Sequence, residues 1–268
     1  MAEEAEVLDV AVADRVATLT LNRPDRRNAL NRALRRRLRQ AVADLEADDA
    51  VDVMIVTGAD PAFCAGLDLK EFGTADSGLS DAGIVIDGPD RGPLGVHAKP
   101  VIGAVNGVAV TGGIELALAC DFLIASDRAR FADTHARVGV QPGWGMSVML
   151  PEAIGVRRAR EMSITGNYID ADLAFQWGLV NHVVAHDDLV PSCRALATAI
   201  VSNDQAAVRQ LLATYNRGMA TTSADAWVIE AEVHRAWNRR QAAESESKAR
   251  LDAVIDRGRS QLSAQPTD

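Results

Sequence analysis

The sequence predicts an α/β fold that ends in a helical region. Short runs of β-branched residues recur between turn signals, at Val16 to Leu21, Val53 to Gly58 and Val101 to Gly107, and helical segments alternate with them through roughly residue 185. From about Pro191 strand signals vanish, and Ala, Arg, Glu and Gln dominate. Strands and helices that alternate along a chain favour an α/β core.

The first elements are identified by their periodicity. Val16 to Leu21 alternates with period two and Val53 to Gly58 is almost continuously apolar, so these runs indicate half-buried or fully buried strands. Asn31 to Glu46 predicts an amphipathic surface helix. Its apolar stripe consists of Leu34, Leu38, Ala41, Val42 and Leu45. After Gly112 the sequence GIELALACD predicts another helix, and Asp121 to Ala125 returns to strand character.

The C-terminal region is predicted to be helical. A helical spacing runs through Trp227, Ala231, His234 or Arg235, Asn238, Leu251 and Ile255. We therefore divide the chain into a core, residues 1–195, and a helical region, residues 196–268, that packs on the core or on a neighbouring subunit. A simple capping bundle explains the second region equally well. The long Gly-, Asp- and Ser-rich stretch from Gly73 to Pro93 is typical of functional lids or disordered segments.

Composition excludes several classes of partner. The formal net charge of −9 argues against a nucleic-acid groove or an anionic membrane surface. No apolar run reaches the roughly 18 to 20 residues of a membrane-spanning helix. The acidic N-terminus lacks a targeting signal, so a cytoplasmic location is expected. Three widely spaced cysteines predict neither disulfides nor a zinc site, and we expect no metal.

Two segments are suited to binding a carbonyl oxygen. In PAFCAGLDLKE, a small-residue turn ending at Gly66 lets the backbone approach a ligand and leaves the Leu67 N–H free. In AVNGVAVTGGIELALACD, a buried strand turns through Gly112 and Gly113 into an apolar helix. The N–H groups of Leu67 and Gly112 can converge on one oxygen, and losing one such donor typically costs about 3 to 4 kcal/mol of barrier.

Glu115 lies in the first turn of that apolar helix. In one interpretation Glu115 is structural and interacts with the helix dipole or forms a buried salt bridge. In the other it is a desolvated carboxylate that exchanges protons near neutral pH. The residues around Glu115 alone favour neither interpretation over the other.

In order, spacing and composition, three segments resemble the enoyl-CoA hydratase/isomerase (crotonase) superfamily. These are AFCAGLDLKE, AVNGVAVTGGIELALACD and FADTHARVGVQPGWGMSVMLPEAIG. The resemblance runs from about residue 7 to residue 260. It implies a spiral of ββα turns followed by a helical trimerisation region, and hence a homotrimer or a hexamer built as a dimer of trimers.

The resemblance also implies an activity. The substrate is an acyl-CoA thioester whose carbonyl is held by the N–H groups of Leu67 and Gly112, and no cofactor is needed because coenzyme A belongs to the substrate. In family hydratases two glutamates position a water. The first matches Glu115, whereas the second falls at His135. A histidine can donate or accept a proton, but it cannot hold a water between two carboxylates in the same way.

The resemblance places the substrate path along two segments. The turn at residues 22–30 carries three arginines before the amphipathic helix, and Lys70 follows the first oxyanion loop. We expect the nucleotide and pantetheine to be lined by Arg27, Ala29, Ala65, Asp68, Leu69 and Gly113. Residues 141–145, with the sequence QPGWG, are expected to shape the acyl pocket. Trp144 either lines that pocket or belongs to the core.

We predict syn addition of water to a trans-2-enoyl-CoA. In this mechanism Glu115 activates the water for attack at C3, and His135 or a second water supplies the C2 proton. His135 is otherwise a pocket-lining residue. One alternative keeps the fold but changes the reaction to isomerisation or another lyase step. Another is a catalytically weak acyl-CoA-binding protein.

Overall fold

Two β-sheets organise the computed structural model, which describes residues 7–72, 92–241 and 255–260. The larger sheet has the order β1 (Leu8–Ala13), β2 (Val16–Leu21), β3 (Val53–Gly58), β5 (Val101–Val105), β7 (Phe122–Ser126) and β10 (His182–Val184). The smaller sheet has the order β4 (Ala62–Cys64), β6 (Val108–Val110), β8 (Arg130–Ala132) and β9 (Ile169–Asp170). Antiparallel pairing joins β1 to β2 and β8 to β9, and the other pairs are parallel.

The strands follow one another as a spiral. Each turn sends its first strand to the larger sheet and its second to the smaller one, as β3 and β4, β5 and β6, and β7 and β8 do in succession. A helix follows each of these pairs, at Leu69–Phe72 (α2), at Gly112–Leu118 (α3) and at His135–Val138 (α4). The predicted α/β fold of ββα turns is thereby confirmed.

The other helices surround these turns. They are α1 (Arg32–Ala47), α5 (Met146–Ile154), α6 (Val156–Thr165), α7 (Ala171–Trp177), α8 (Leu189–Val201), α9 (Gln205–Met219) and α10 (Ser223–Gln241). Helix α1 begins where the sequence predicts, because the Asn31 side chain caps the Leu34 N–H at 2.8 Å. Its predicted apolar stripe is buried.

The core lies on both faces of the larger sheet. All six residues of β3 are buried. Met54 and Val56 face the main cluster, whereas Val53 and Ile55 face a second cluster that includes Cys193 of α8. A strand that is buried on both faces needs apolar side chains at nearly every position, which explains the VMIVTG sequence.

The chain forms two structural units, Met1–Arg209 and Gln210–Asp268. The second contains most of α9 and all of α10, which agrees with the helical spacing seen in the sequence. The boundary near residue 195 and the role of this region in assembly stay predictions. Most of the predicted lid, Gly73 to Pro93, lies outside the described residues, as does Leu251. In the described part of the chain, no helix combines the length and the apolar character needed to cross a bilayer.

Candidate active site

The loop at residues 65–68, the first predicted oxyanion loop, is fixed by backbone hydrogen bonds to the turn before α1. Leu30 donates its N–H to the Gly66 carbonyl at 2.7 Å and accepts the Asp68 N–H at 3.3 Å. Between these two bonds, the Leu67 N–H has no partner among the described residues. Gly66 has a φ of +90°, a conformation that glycine adopts without strain. The loop therefore presents one unused donor on a rigid support.

The turn at residues 111–113, the second predicted oxyanion segment, brings another unused donor beside the first. Thr111 has a φ of +54° and donates its N–H to the Ala132 carbonyl at 2.9 Å. The next N–H, that of Gly112, has no partner within the described chain. A Cβ added to Gly66 would lie 3.4 Å from the Gly112 nitrogen, and one added to Gly112 would lie 3.5 Å from the Leu67 nitrogen. The two donors are thus close enough to meet the same oxygen.

Gly113 packs against the first loop. A Cβ at this position would lie 2.0 Å from the carbonyl oxygen of Cys64, so no larger residue fits without moving the backbone. Gly113 is not among the described residues that line the adjacent cavity. Its position is explained by the close approach of α3 to β4.

A cavity of about 270 Å³ opens in front of these loops. Eight of the residues predicted from sequence or resemblance contribute to its wall, namely Ala65, Leu67, Leu69, Glu115, His135, Gln141, Gly143 and Trp144. The wall also contains Thr111, Thr134, Val138 and Val140. Trp144 belongs both to this wall and to the main hydrophobic core, so the two interpretations of its role are compatible.

Glu115 is a buried carboxylate at the end of this cavity, with 2% of its surface exposed. Its Oε1 accepts the Trp144 backbone N–H at 2.9 Å. Its Oε2 lies 3.8 Å from Nε2 of His135. Burial raises the pKa of Glu115, although the hydrogen bond from Trp144 and the nearby His135 act in the opposite direction. A carboxylate with a raised pKa is suited to accept and return a proton.

His135 is oriented by a second buried carboxylate. Its Nδ1 lies 2.6 Å from Oδ1 of Asp133, and its backbone N–H donates to the same oxygen at 3.1 Å. Only 2% of Asp133 and 8% of His135 are exposed. Asp133, His135 and Glu115 therefore form a continuous row of ionisable groups that ends at the cavity.

Two threonines connect the loop of His135 to the oxyanion turn. The side-chain oxygens of Thr111 and Thr134 are 2.5 Å apart, and the Thr134 N–H donates to the Thr111 hydroxyl at 3.2 Å. This contact couples the position of α4 to that of the Gly112 N–H.

The predicted coenzyme A residues fall beside the first loop. Arg23 donates to Oδ2 of Asp68 at 2.9 Å and also to the Ala29 carbonyl. The exposed Arg27 accepts the Ala65 N–H at 3.0 Å through its carbonyl. The structure thus places Arg27, Ala29, Ala65 and Asp68 together. Of these, only Ala65 lies in the described cavity wall.

Sequence reasoning missed Asn28, Asp133 and both threonines. Asn28 is fully buried with a φ of +56°, and its amide donates to the carbonyls of Ala59 and Ala62. An asparagine within a turn is a signal for such a backbone conformation. Asp133 lies two residues before His135, and that spacing was the available signal for a carboxylate partner.

The chain is similar to enoyl-CoA hydratases along most of its length. The family model "Enoyl-CoA hydratase/isomerase" matches residues 12–252. The chain is 40% identical over 220 residues to "Probable enoyl-CoA hydratase 1, peroxisomal" from Arabidopsis thaliana, with 81% of each protein covered. It is 37% identical over 228 residues to "Crotonyl-CoA hydratase" from Syntrophomonas wolfei, with 82% of this chain and 85% of the relative covered.

Solved structures give the same result. The crystal structure of an enoyl-CoA hydratase from Mycobacterium tuberculosis H37Rv has 53% sequence identity and a TM-score of 0.72, over 85% of this chain and 98% of that one. The sequence motifs, the ββα spiral and these similarities all indicate the same family. The chain belongs to the enoyl-CoA hydratase/isomerase family of the crotonase superfamily.

Proposed function

We propose that the protein is an enoyl-CoA hydratase that adds water across the C2=C3 bond of a 2-trans-enoyl-CoA. The observation that carries the proposal is the placement of Glu115 and His135 in the wall of one cavity, next to the unused N–H donors of Leu67 and Gly112. Relatives named enoyl-CoA hydratase and crotonyl-CoA hydratase support this reaction over isomerisation.

The pair can hold one water. With Oε2 of Glu115 and Nε2 of His135 separated by 3.8 Å, a single oxygen can lie about 2.8 Å from both, which is an ordinary hydrogen-bond length. Oε1 of Glu115 is occupied by the Trp144 N–H, so Oε2 is the oxygen available to this water. A histidine can therefore complete the water site without a second glutamate.

In the proposed reaction, Glu115 accepts one proton and His135 donates one. As the water oxygen bonds to C3, Oε2 of Glu115 takes a proton from the water, and the π electrons move through C2 to the thioester oxygen. The N–H groups of Leu67 and Gly112 stabilise that negative charge. Nε2–H of a protonated His135 then delivers a proton to C2. Proton transfer from Glu115 back to His135 restores both groups.

The substrate is proposed to be an acyl-CoA thioester, with no cofactor besides the coenzyme A that it carries. We also propose a homotrimer or a dimer of trimers. Exposed apolar side chains on α9 and α10 support burial at a subunit interface, namely Leu211, Tyr215, Met219, Trp227 and Val228. Light scattering coupled to size exclusion tests the subunit number.

The test of the function is the loss of the conjugated enoyl thioester absorbance with crotonyl-CoA and with a longer enoyl-CoA. Native protein, Glu115→Gln and His135→Ala are compared, with the exposed Glu152→Gln as the matched control. Acyl-CoA binding is measured in parallel by calorimetry.

We expect turnover by the native protein and by Glu152→Gln, and a loss of about 10²- to 10⁴-fold in Glu115→Gln. Binding without turnover in the native protein would contradict the proposal. It would point instead to another reaction of the family or to a binding role.

A further inference from the structure

We propose that Asp133 is a positioning residue that holds His135 in the tautomer with Nδ1 protonated, so that Nε2 is the ring atom that exchanges a proton. This inference rests on the proposed function, because His135 acts there on the reacting water. It adds a residue outside the cavity wall to the groups on which the reaction depends.

The geometry assigns a different partner to each ring nitrogen. Nδ1 is 2.6 Å from Oδ1 of Asp133, which is short for a nitrogen–oxygen hydrogen bond and typical of one with a charged partner. Nε2 faces Oε2 of Glu115 at 3.8 Å, beyond hydrogen-bond distance. One nitrogen is therefore held, and the other remains available to water or substrate.

The charge on Asp133 determines which nitrogen carries the hydrogen. Burial raises the pKa of Asp133, but hydrogen bonds from His135 and Ser163 outweigh it, and the net pKa lies below the ordinary value. An ionised carboxylate only accepts hydrogen bonds. The hydrogen between Asp133 and His135 must therefore come from Nδ1, which leaves the lone pair of the neutral ring on Nε2.

Among the residues that the structure describes, two carboxylates approach the imidazole. Asp133 precedes it on the same loop, and Glu115 approaches it from α3. Helix α6, which packs against α4, contributes the Ser163 hydroxyl as a donor to Asp133. Arg137, on the same helix as His135, is bound to the Thr165 carbonyl and to Asn167. The tautomer therefore depends mainly on Asp133.

The tautomer determines how His135 regains its proton after each turnover. His135 holds its Nδ1 hydrogen throughout and gains or loses a proton only at Nε2. After Nε2 gives its proton to C2, the nearest proton source is the protonated Oε2 of Glu115. If the neutral ring carried its hydrogen on Nε2 instead, no lone pair of His135 would face Oε2 of Glu115. The proton on Glu115 could then not return to Nε2.

Oδ1 of Asp133 also accepts the His135 backbone N–H, so experiment must separate a purely structural role from the positioning role. Asp133→Asn removes the negative charge but keeps the size and shape of the side chain. The ring and the backbone N–H contact the same Oδ1, so an amide nitrogen turned toward Nδ1 gives up the backbone contact and leaves the hydrogen of the neutral ring on Nε2. The comparison with the His135→Ala background then separates orientation of the ring from support of the backbone.

The first test is ¹⁵N NMR of the full-length protein with labelled histidine, without substrate. His135 is one of five histidines, and its signals are identified by their absence from His135→Gln. We expect a protonated Nδ1 and an unprotonated Nε2 in the neutral ring of the native protein, and a shift toward the opposite tautomer in Asp133→Asn. A neutral His135 ring in the native protein that carries its hydrogen on Nε2 and not on Nδ1 would overturn the proposal whether or not the variant folds.

The second test is kinetic. Asp133→Asn is expected to lower kcat by about 10- to 100-fold with little change in KM, as losses of orienting partners commonly do. In the His135→Ala background the same change should cause no further loss, because Asp133 then has no ring to orient. An additional loss of similar size in that background would indicate a structural role and overturn the proposal.

The two proposals fail in different ways. A native protein that shows the expected tautomer but does not hydrate enoyl-CoA contradicts the proposed function alone. A native protein that hydrates enoyl-CoA, while Asp133→Asn keeps both the tautomer and the rate, contradicts the role of Asp133 alone.

Discussion

The backbone N–H of Trp144 donates to Oε1 of Glu115 over 2.9 Å, and this bond gives the two carboxylate oxygens different environments. Oε1 is held by the backbone, whereas Oε2 faces His135 at 3.8 Å. The backbone contact thereby orients the carboxylate through Oε1 and leaves Oε2 toward His135.

The pH dependence of the reaction is expected to report the environment of Glu115. Burial raises the pKa of this carboxyl, and the proposed mechanism requires its ionised form. We therefore expect the acid limb of kcat to lie above about pH 4.3, the ordinary value for glutamate. A pH–rate profile with crotonyl-CoA measures it. An acid limb at or below the ordinary value would contradict a desolvated base.

Glu115→Gln is expected to be more stable than the native protein at pH 7. Because the folded-state pKa is raised, the folded protein binds this proton more tightly than the unfolded chain does. The native protein therefore loses stability as pH rises from about 4.3 through the folded-state value, and the glutamine variant avoids this loss.

Thermal unfolding between about pH 4 and pH 8 checks the stability prediction, with Glu152→Gln as the exposed control. The Tm of Glu115→Gln should exceed that of the native protein by a few degrees at pH 7, and the difference should shrink toward pH 4. A glutamine variant that is less stable at neutral pH would show that the carboxylate stabilises the fold.

Gly66→Ala is expected to disrupt the oxyanion site. The added Cβ would lie 2.8 Å from the Val110 carbonyl and 3.4 Å from the Gly112 nitrogen, so the loop must move. We expect kcat to fall by about 10²- to 10³-fold, the effect of losing one oxyanion donor.

The matched control for Gly66→Ala is Gly155→Ala. Gly155 also has a positive φ, +82°, but a Cβ there meets nothing within 4 Å. Both variants should lose stability from the strained backbone, by about 1 to 3 kcal/mol. Only Gly66→Ala should lose activity. Equal losses of activity in the two variants would assign the effect to stability.

The long elements and the two glycine turns beside the cavity were predictable from the sequence for physical reasons. Strand β3 is buried on two faces, and α1 has a capped start with one apolar stripe, so their patterns are strong. Strands β4, β6 and β8 have three residues each, which is too short for a periodic pattern to identify. Their positions depend on pairing across the spiral.

The polar environment of the site was less accessible from sequence. The contact between Glu115 and the Trp144 N–H joins residues 29 positions apart through a backbone atom, and no side-chain identity encodes it. Asp133 is close to His135 in sequence, but its burial and its link to Ser163 depend on the packing of α4 against α6.

Asp68→Asn is expected to loosen the first loop. Burial raises the pKa of Asp68, but the hydrogen bonds from Arg23 and from the Lys70 backbone, together with the charges of Arg23 and Arg26, outweigh it, and the net pKa is lowered. The contribution of Asp68 to stability is therefore present above about pH 3.9, the unfolded-state value, and is lost as pH falls through the folded-state value.

For this variant we expect a stability loss of about 1 kcal/mol at pH 7 and a higher KM for enoyl-CoA. Asp256→Asn is the control, because its contact with Arg259 is exposed and exposed pairs contribute little. Chemical unfolding and steady-state kinetics measure both effects. If KM is unchanged while stability falls, the ion pair supports the fold without shaping the substrate path.

Mass spectrometry of crotonyl-CoA after incubation with the native protein in ¹⁸O-labelled water shows whether the protein adds water to an enoyl-CoA. We expect a 3-hydroxyacyl-CoA that carries one labelled oxygen at C3, formed by the native protein and lost in Glu115→Gln. An unhydrated isomer, or crotonyl-CoA that is bound but unchanged, would contradict it.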